Sequence, residues 1–248
     1  MKVSIITVCY NSANTIESTI KSVIEQSYPE IEYILIDGLS KDGTLGIIEK
    51  YRNSIAKVIS EKDSGIYDAI NKGIDVATGD VIGILNSDDF YINNTVIADV
   101  VDALLNSNAD SCYADLQYID RLNINKIIRN WKSKNYYEGI FYTGWMPPHP
   151  TFFVKKACYE KYGKFNLKLK SAADYELMLR FLHKHHVSTT YLPKVLVKMR
   201  VGGMSNKTLM NRIAANREDR LAWKINGLKP GMFTLLFKPL SKIKQFLG

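Results

Sequence analysis

The chain has 248 residues, 46% of them hydrophobic, with 33 Lys and Arg against 25 Asp and Glu, which gives a net charge of +8. This length and composition predict a globular protein made of one large domain, or of one domain with an appendage. No run of about 18 uninterrupted apolar residues occurs, which argues against a transmembrane helix, and the chain starts on a strand pattern instead of a signal peptide. We therefore expect a cytoplasmic protein.

The charge is divided unevenly along the chain. Residues 1–150 carry 13 basic against 20 acidic side chains, whereas residues 151–248 carry 20 against 5. The basic residues do not form the pattern of a known nucleic-acid-reading module, so we expect no nucleic acid; an anionic membrane surface and a diphosphate-bearing substrate fit equally well. The cysteines, Cys9, Cys112 and Cys158, are odd in number and widely spaced, which predicts buried thiols instead of disulfides or a zinc site.

Strands and helices alternate through the first 85 residues. Apolar, β-branched runs predict strands at 2–8, 33–37, 58–60 and 81–85. We expect a helix capped by Asn14, a second capped by Asp42, and a third over residues 67–77 that Gly79 ends. This alternation predicts an α/β fold with a doubly wound, mostly parallel sheet.

Beyond Asp89 the alternation loosens. Helices are predicted over 96–105 and 173–183, and strands over 111–119, 126–131, 152–154 and 187–192. Residues 132–151 are aromatic and rich in Pro and Gly, so they could not continue a helix or a central strand. A long ordered loop of this kind is often functional.

Acidic residues follow three of the predicted strands. The strand at 81–85 leads into Asp88 and Asp89, and Asp37 and Asp63 follow two others. In a parallel sheet these carboxylates emerge at one carboxyl edge, where open α/β sheets bind ligands. Adjacent carboxylates repel each other, so a cation or a ligand proton is expected to offset Asp88 and Asp89; a solvated turn or a helix cap is the alternative.

Several motifs, in their order along the chain, resemble those of family 2 glycosyltransferases with the GT-A fold. They lie at residues 7–11, 36–44, 60–73 and 85–89, and two further motifs at 148–153 and 173–177 resemble the polysaccharide and O-antigen members. The resemblance covers roughly residues 2–206. It implies a nucleotide-sugar-binding half over 1–89 and an acceptor-side half over 90–206, followed by a basic amphipathic extension over 207–248.

The resemblance implies a set of donor-binding residues: Thr7, Tyr10, Asn11, Asp37, Asp63, Lys72, Asp88, His149 and Arg200. Asp37 stands where the family binds the uracil ring, and Gly38 leaves room for base and ribose to approach the backbone. Asp63 matches a second nucleotide-contacting acid, although an ordinary turn explains it equally well.

Lys72 could reach a donor phosphate, but a solvated helix lysine is at least as common. His149, fixed between prolines, could contact a donor phosphate or the acceptor, or serve as a turn residue in a lid. Arg200, with Gly202, Gly203 and Ser205, resembles the mobile closing segment of the family and could hold phosphate oxygens.

Asp88 and Asp89 take the place of the family's metal-binding acids. Mn²⁺ or Mg²⁺ prefers oxygen ligands and would neutralise the leaving diphosphate. Family members often carry an acid at the position of Asn86. That departure makes Asp89 the first choice for the metal ligand, with Asp88 on the ribose or on metal-bound water.

The resemblance makes Asp174 the catalytic general base. Transfer with inversion needs one carboxylate to take the proton of the acceptor hydroxyl, and no carboxylate nucleophile. Because Asp174 precedes an apolar-periodic helix, an N-cap role is the structural alternative. Glu176 is the second candidate for the base.

The last twenty residues interleave apolar side chains with lysines, which suits an amphipathic element on an anionic membrane surface; a helix packed back on the domain is the alternative. We interpret the chain as an inverting, metal-dependent hexosyltransferase, peripheral on the inner face of the cytoplasmic membrane. Its expected donor is a UDP-sugar, with galactose or glucose favoured. Its expected acceptor is a sugar on a lipid diphosphate of the undecaprenyl-diphosphate type, in O-antigen or exopolysaccharide synthesis.

Three other functions fit the sequence less well. A sugar-nucleotide pyrophosphorylase would need a Gly-rich basic loop after the first strand, and residues 10–15 are not one. A dehydrogenase would need the G-x-G-x-x-G pattern there. A nucleotide-sugar-binding protein without activity remains an alternative, although the retention of Asp89 and Asp174 argues against it.

Overall fold

The computed structural model describes residues 1–202, 209–231 and 234. Strands are β1 Val3–Cys9, β2 Ile31–Asp37, β3 Lys57–Ser60, β4 Val81–Ile84, β5 Asp89–Tyr91, β6 Ser111–Ile119, β7 Ile127–Trp131, β8 Phe153–Lys155 and β9 Thr189–Arg200. Helices are α1 Ile16–Ile24, α2 Thr44–Lys50, α3 Ile66–Val76, α4 Val96–Ser107, α5 Lys156–Tyr162, α6 Ala173–Met178 and α7 Leu209–Ile225. A π-helical stretch, Leu179–Lys184, continues α6, and 3₁₀ turns cover Arg52–Ser54, Ile140–Thr143 and His149–Thr151.

The strands of the described residues form one mixed sheet in the order β3-β2-β1-β4-β8-β6-β9-β5, with β7 paired to β6. The first four of these, β3, β2, β1 and β4, are parallel. β8 runs antiparallel to β4 and β6, while β9 is parallel to β6 and antiparallel to β5. The predicted α/β fold is confirmed, but the parallel doubly wound pattern is confined to the first half of the chain.

Central strands of this sheet are buried on both faces, which is why their sequences read as continuous apolar runs. Every residue of β1 is buried. Helix α3 lies close against β1 because Gly73 has no side chain: a Cβ there would stand 2.5 Å from the Ile6 Cγ2 atom. This close approach fixes α3 against the sheet.

Several local predictions need correction. Helix α1 begins at Ile16, its cap position is Thr15 without a side-chain cap, and Asn14 therefore does not cap it. Glu17, in the first turn of this helix, accepts a hydrogen bond from the Tyr51 hydroxyl. Asp42 is not the N-cap of α2 either, because the cap position is Gly43, although the Asp42 carboxylate accepts the N–H of Thr44 at 2.9 Å. Strand β5 was not predicted, and β9 extends beyond the predicted end at residue 192 to Arg200.

Helix α7 packs on the body of the protein. Trp223 is fully buried, and its indole N–H donates to the Tyr175 hydroxyl at 2.8 Å. The Glu218 carboxylate accepts hydrogen bonds from the backbone N–H groups of residues 170–172. The described part of the 207–248 extension therefore shares the core of the preceding domain, contrary to the predicted boundary at 206. Of the last twenty residues, which form the predicted amphipathic element, 232–233 and 235–248 lie outside the described residues.

Two further expectations concern thiols and membranes. All three cysteines are buried and free, as predicted. In the part of the chain that the structure describes, no helix combines the length and the apolar character that crossing a bilayer requires.

Candidate active site

The carboxyl ends of the parallel strands lie side by side. Cys9 at the end of β1 is opposite Asp37 of β2, which in turn is opposite Ser60 of β3. The loop after β1 is joined to the loop after β4 by a 2.9 Å hydrogen bond between the Ser12 and Ser87 hydroxyls. These pairings bring the predicted acidic residues to one edge of the sheet.

Asp37 is fully buried at this edge. Its carboxylate accepts hydrogen bonds from the Ser60 hydroxyl at 2.6 Å and from the Ser40 N–H at 3.1 Å. At the adjacent Gly38, a Cβ would lie 2.9 Å from Asp63 Oδ2 and 3.5 Å from the exposed ring of Tyr10. Gly38 thus keeps open a gap between an aromatic face and a carboxylate.

Asn11 and Thr7 have structural partners. The backbone N–H of Asn11 donates to the Ser40 hydroxyl, and its side-chain oxygen accepts the Lys41 N–H, both at 2.8 Å. These bonds tie the loop after β1 to the loop after β2. Thr7 is fully buried and accepts a hydrogen bond from the Tyr33 hydroxyl. Its side chain is therefore not exposed at the carboxyl edge of the sheet.

Lys72 is surrounded by carboxylates. Its ammonium group donates to Asp63 at 2.6 Å and Glu61 at 2.9 Å, and Asp68 lies at 3.9 Å. The hydrogen bonds to Asp63 and Glu61 raise the pKa of Lys72. Lys72 therefore holds Asp63 in place, and its predicted contact with a donor phosphate stays a prediction.

Asp88 and Asp89 are placed differently. Asp89 is fully buried and accepts the Arg200 N–H and the Asn86 side-chain amide, both at 3.3 Å. Burial, followed by the charge of Asp88, raises the pKa of Asp89 well above its ordinary value. Asp88 is only partly buried. The first-choice metal ligand from the sequence, Asp89, thus lies behind the more accessible Asp88.

Arg200, the last residue of β9, is buried behind the Asp88–Asp89 turn. Its guanidinium donates to the Asp88 carbonyl and the Ser18 hydroxyl and lies 4.9 Å from the centre of the Phe90 ring. Burial lowers the pKa of the guanidinium, an effect that Asp89 and Asp88 oppose. Arg200 therefore supports the Asp88–Asp89 turn from inside. Of the predicted closing segment, Gly203 and Ser205 lie outside the described residues.

The residues present fit a divalent ion that binds together with a diphosphate. Within the described residues, no group of three or more His, Cys, Asp and Glu side chains could enclose a metal ion. Such an enclosure is not required, because Mg²⁺ at a phosphate site is bound by one or two carboxylates together with substrate oxygens and water. Asp88, with Asp89 behind it, supplies that number of carboxylates.

Asp174, the predicted base, is in contact with His149. The two side chains approach to 3.2 Å between His149 Nδ1 and Asp174 Oδ2, and both are partly exposed. Asp174 Oδ1 accepts the Tyr175 N–H at 2.8 Å and the Tyr67 hydroxyl at 3.4 Å. Asp174 and His149, which the resemblance implies as separate site residues, are therefore in contact. Tyr67, which was not predicted, completes a group of three side chains.

Helix α3 positions this group. The Asn71 side chain exchanges two hydrogen bonds of 2.9 Å with the backbone of Phe165, whose ring stacks on Tyr67 at 5.6 Å between centroids. Burial, and then the charge of Asp174, raises the pKa of the Tyr67 phenol, so it stays a hydrogen-bond donor at neutral pH. Tyr67 lies in the 60–73 motif, but an aromatic residue at a helix start resembles an ordinary core residue.

The two alternatives considered for the base region are not supported. Asp174 is not the N-cap of α6, because the helix begins at Ala173 after the cap position Ala172. Glu176 is not a second base candidate, since it is buried in an ion pair with Arg180 and also accepts the Asn226 amide.

Tyr118 links the two sides of the site. Burial is the main cause of the raised pKa of this phenol, and the positive charge of Arg129 opposes it. The negative charges of Asp89 and Asp174 raise the pKa further. Its ring lies under the Arg129 guanidinium, 3.8 Å from the ring centre, and stacks on Trp131. The charges of Asp89 and Asp174 therefore both act on the Tyr118 phenol. Cavities of about 310 and 260 Å³ elsewhere are lined by none of the predicted site residues.

Sequence relatives are glycosyltransferases. The chain is 32% identical over 182 residues to an uncharacterized glycosyltransferase of Mycobacterium tuberculosis, covering 72% of this chain and 68% of the relative. It is 27% identical over 207 residues to a PGL/p-HBAD biosynthesis glycosyltransferase of Mycobacterium bovis, covering 82% and 78%. A 90-residue stretch is 41% identical to the putative teichuronic acid biosynthesis glycosyltransferase TuaG of Bacillus subtilis, covering 35% and 36%.

Solved structures share the fold. S. aureus TarS 1-349 in complex with UDP-GlcNAc superimposes with a TM-score of 0.70 at 20% identity, over 91% of this chain and 65% of that one. The mannosyltransferase PcManGT of Pyrobaculum calidifontis, in complex with GDP-Man and Mn²⁺, gives a TM-score of 0.66 at 18% identity, over 99% and 69%. Residues 4–161 match the sequence model of Glycosyl transferase family 2, and the chain belongs to that family.

Proposed function

We propose that the protein transfers a hexose, with inversion, from a UDP-sugar to a sugar on a lipid diphosphate in cell-surface polysaccharide synthesis. One observation carries the proposal: helix α3 contacts both groups of proposed site residues, since Tyr67 near its start donates to Asp174, which also contacts His149, and Lys72 on the same helix is bonded to Asp63. That arrangement suits a donor diphosphate on one side and an acceptor hydroxyl on the other.

The donor nucleotide would bind at the Gly38 gap. Tyr10 offers an exposed aromatic face, and the main chain at Gly38 is open to close approach. Asp37, ordered by Ser40 and Ser60, is the proposed partner of the uracil imide, and Asp63, held by Lys72, the second nucleotide contact. UDP-GlcNAc in TarS supports a UDP-sugar, although PcManGT binds GDP-Man.

Asp88 is our candidate for the side chain that holds Mn²⁺ or Mg²⁺, because it is the more exposed of the two acids. Such an ion would neutralise the negative charge of the departing diphosphate. Asp89 and Arg200 keep the turn in place from inside the protein. Mn²⁺ in PcManGT supports the use of a divalent ion.

Asp174 would draw the proton from the acceptor hydroxyl. Attack of that hydroxyl on the anomeric carbon, with departure of UDP from the opposite face, inverts the configuration and needs no covalent intermediate. The hydrogen bonds from Tyr175 and Tyr67 orient the carboxylate. His149 contacts the same carboxylate, so the imidazole and the carboxylate could share the transferred proton.

The acceptor and its location are inferred from charge and from relatives. Residues 151–248 carry 20 basic against 5 acidic side chains, which favours a phosphate-bearing acceptor and an anionic surface. The teichuronic acid and PGL/p-HBAD relatives favour a cell-surface product. We therefore place the protein on the inner face of the cytoplasmic membrane, with galactose or glucose as the favoured sugars and O-antigen or exopolysaccharide as the product class.

The test is UDP release from a panel of UDP-sugars with Mn²⁺, with and without a short-chain sugar-diphosphate lipid. We expect one donor to be consumed much faster with the acceptor present, a product of inverted anomeric configuration, and loss of turnover on chelation. Asp174→Asn is the matched negative control. UDP-sugar binding without turnover would identify a nucleotide-sugar-binding protein and contradict the proposal.

A further inference from the structure

The hairpin that joins β6 to β7 carries an unusual surface. All eight residues from 121 to 128 are exposed. Four of them are large aliphatic side chains, and one, Leu122, is 94% exposed. The other three are Ile124, Ile127 and Ile128. Burying exposed aliphatic side chains is favourable, so a cluster of four on one projecting element indicates a binding surface.

The tip of this hairpin is ordered by its own hydrogen bonds. Asp120 Oδ1 accepts the N–H groups of Leu122 and Asn123 at 3.0 and 2.9 Å. The Asp120 N–H donates to the Lys126 carbonyl, and the Lys126 N–H donates to the Asn123 carbonyl. Leu122 is therefore presented outward by a defined turn, and its exposure is not that of a loosely placed loop.

The hairpin projects beyond the body of the protein. Ile127 and Ile128 are consecutive residues of β7, and both are exposed. The β6–β7 pairing has a β-bulge here, because Tyr118 is opposite Arg129 whereas Ile119 is opposite Ile127, which leaves Ile128 between the two pairs. By the end of the strand, at Trp131, the side chain is buried.

The charge of the hairpin is uniformly positive. Residues 121–132 contain four basic side chains and no acidic one, within a half of the chain that is otherwise acidic. The four are Arg121, Lys126, Arg129 and Lys132. Charged side chains on an edge strand can simply prevent strand pairing. That explanation accounts for the lysines but not for a nearly fully exposed leucine at the tip.

We propose that this hairpin tip, residues 120–128, docks on an anionic bilayer surface, with its aliphatic side chains in the interfacial region and its basic side chains at the anionic headgroups. Aliphatic and basic side chains on one exposed element fit such a surface in both polarity and charge. The partner follows from this charge complementarity, and the proposal can be tested without any transfer activity.

The position of the hairpin gives this contact a consequence. Tyr118, in the strand that leads into the hairpin, is the phenol on which the charges of Asp89 and Asp174 both act. Arg129, in the returning strand, covers its ring. A bilayer docked at the tip would therefore lie next to the acceptor side of the proposed active site, where a membrane-anchored acceptor would arrive.

The experiment is co-sedimentation of the full chain with vesicles of phosphatidylcholine alone and of an equal mixture with phosphatidylglycerol. We compare Leu122→Ser/Ile124→Ser and Arg121→Gln/Lys126→Gln with the wild type. Leu105→Ser is the matched control, since Leu105 is 60% exposed on helix α4. Thermal unfolding of each variant confirms that it is folded.

We expect the wild type to prefer the phosphatidylglycerol vesicles and to lose binding as salt rises. The aliphatic double variant should bind at least tenfold more weakly. The basic double variant should bind about 25-fold more weakly, because each of its two basic residues contributes about fivefold at such a surface. Leu105→Ser should bind like the wild type. Wild-type binding by both hairpin variants would overturn the proposal, and so would a change confined to the oligomeric state on size-exclusion chromatography, which would identify a protein interface.

Discussion

On the donor side of the site, the proposed binding residues are held by groups on neighbouring parallel strands and loops. Asp37 accepts hydrogen bonds from Ser60 at the end of the adjacent strand β3 and from Ser40 in the loop after its own strand β2. On the acceptor side, by contrast, Asp174 contacts His149 and Tyr67, which come from distant parts of the chain. The two sides therefore depend on different features of the fold.

The donor side and the acceptor side are formed by different structural features. The donor edge follows from strand order alone, because parallel strands end at the same edge. The acceptor group exists only when α3, the turn at His149–Thr151 and α6 are all packed together. We therefore expect donor-side substitutions to change nucleotide binding, and acceptor-side substitutions to change turnover.

The largest effect is expected at Asp174. Asp174→Asn keeps the size of the side chain and a hydrogen-bonding oxygen, but removes the proton acceptor, so kcat for transfer should fall by about two to four decades. The measurement is steady-state transfer to the acceptor identified in the donor panel. Asp75→Asn, which alters only an ion pair with Lys164 at the surface, serves as the control and should remain active.

The second effect concerns the free energy of unfolding and not the transfer reaction. Glu32 is buried at the start of β2, the opposite end of the strand from Asp37. Burial raises the pKa of its carboxyl, but hydrogen bonds from Ser4 and Thr78 outweigh it and lower the pKa to about 2.

Glu32→Gln should therefore lower the free energy of unfolding at neutral pH by about 2 to 3 kcal/mol. A lowered folded-state pKa gives stability that is present above the unfolded value and lost as pH falls, so the difference should shrink between about pH 4 and pH 2. Urea unfolding at several pH values measures it. An unchanged difference at low pH would show that packing, and not the carboxylate charge, is responsible.

A smaller effect on turnover is expected at His149. His149→Asn keeps a hydrogen-bond donor near Asp174 but cannot accept a proton, so kcat should fall about tenfold to a hundredfold with little change in UDP binding. His186→Asn provides a matched loss of an exposed imidazole at another turn. Equal kcat values for His149→Asn and His186→Asn would show that His149 does not take part in accepting the proton.

The smallest effect is expected at Lys72. Lys72→Met leaves Asp63 without its hydrogen-bond partner and Glu61 without its counter-charge, so the KM for the donor should rise about tenfold with kcat nearly unchanged. Lys164→Met, which removes a lysine from an ion pair on the surface, is the control. A fall in kcat at constant KM would argue for direct contact with the transferred phosphate charge.

The sequence predicted the parallel strands and the carboxylates at their ends because this signal is local. Apolar runs ending in carboxylates mark buried strands and their ends, and the order of strands then places Asp37, Asp63 and Asp88 at one edge. The sequence also selected His149 and Asp174, but not their contact. Pairing between residues that are 25 positions apart depends on tertiary packing, which periodicity does not report.

Two of the predicted phosphate-binding residues have partners in the protein itself. Arg200 donates to the Asp88 carbonyl and Lys72 to Asp63. A charged residue near a site can bind a ligand or hold a binding residue, and sequence alone does not separate these uses. Residues 207–248 were assigned to an extension because the family resemblance ends near residue 206, although Trp223 of helix α7 is buried and bonded to Tyr175.

The most direct test of the division between the two sides is UDP binding by calorimetry to Asp63→Asn and Asp174→Asn, beside the wild type, on proteins whose transfer rates are known. We predict that Asp63→Asn weakens UDP binding at least tenfold, while Asp174→Asn binds UDP within about twofold of the wild type and yet fails to transfer. UDP binding that is lost in Asp174→Asn and retained in Asp63→Asn would contradict the account.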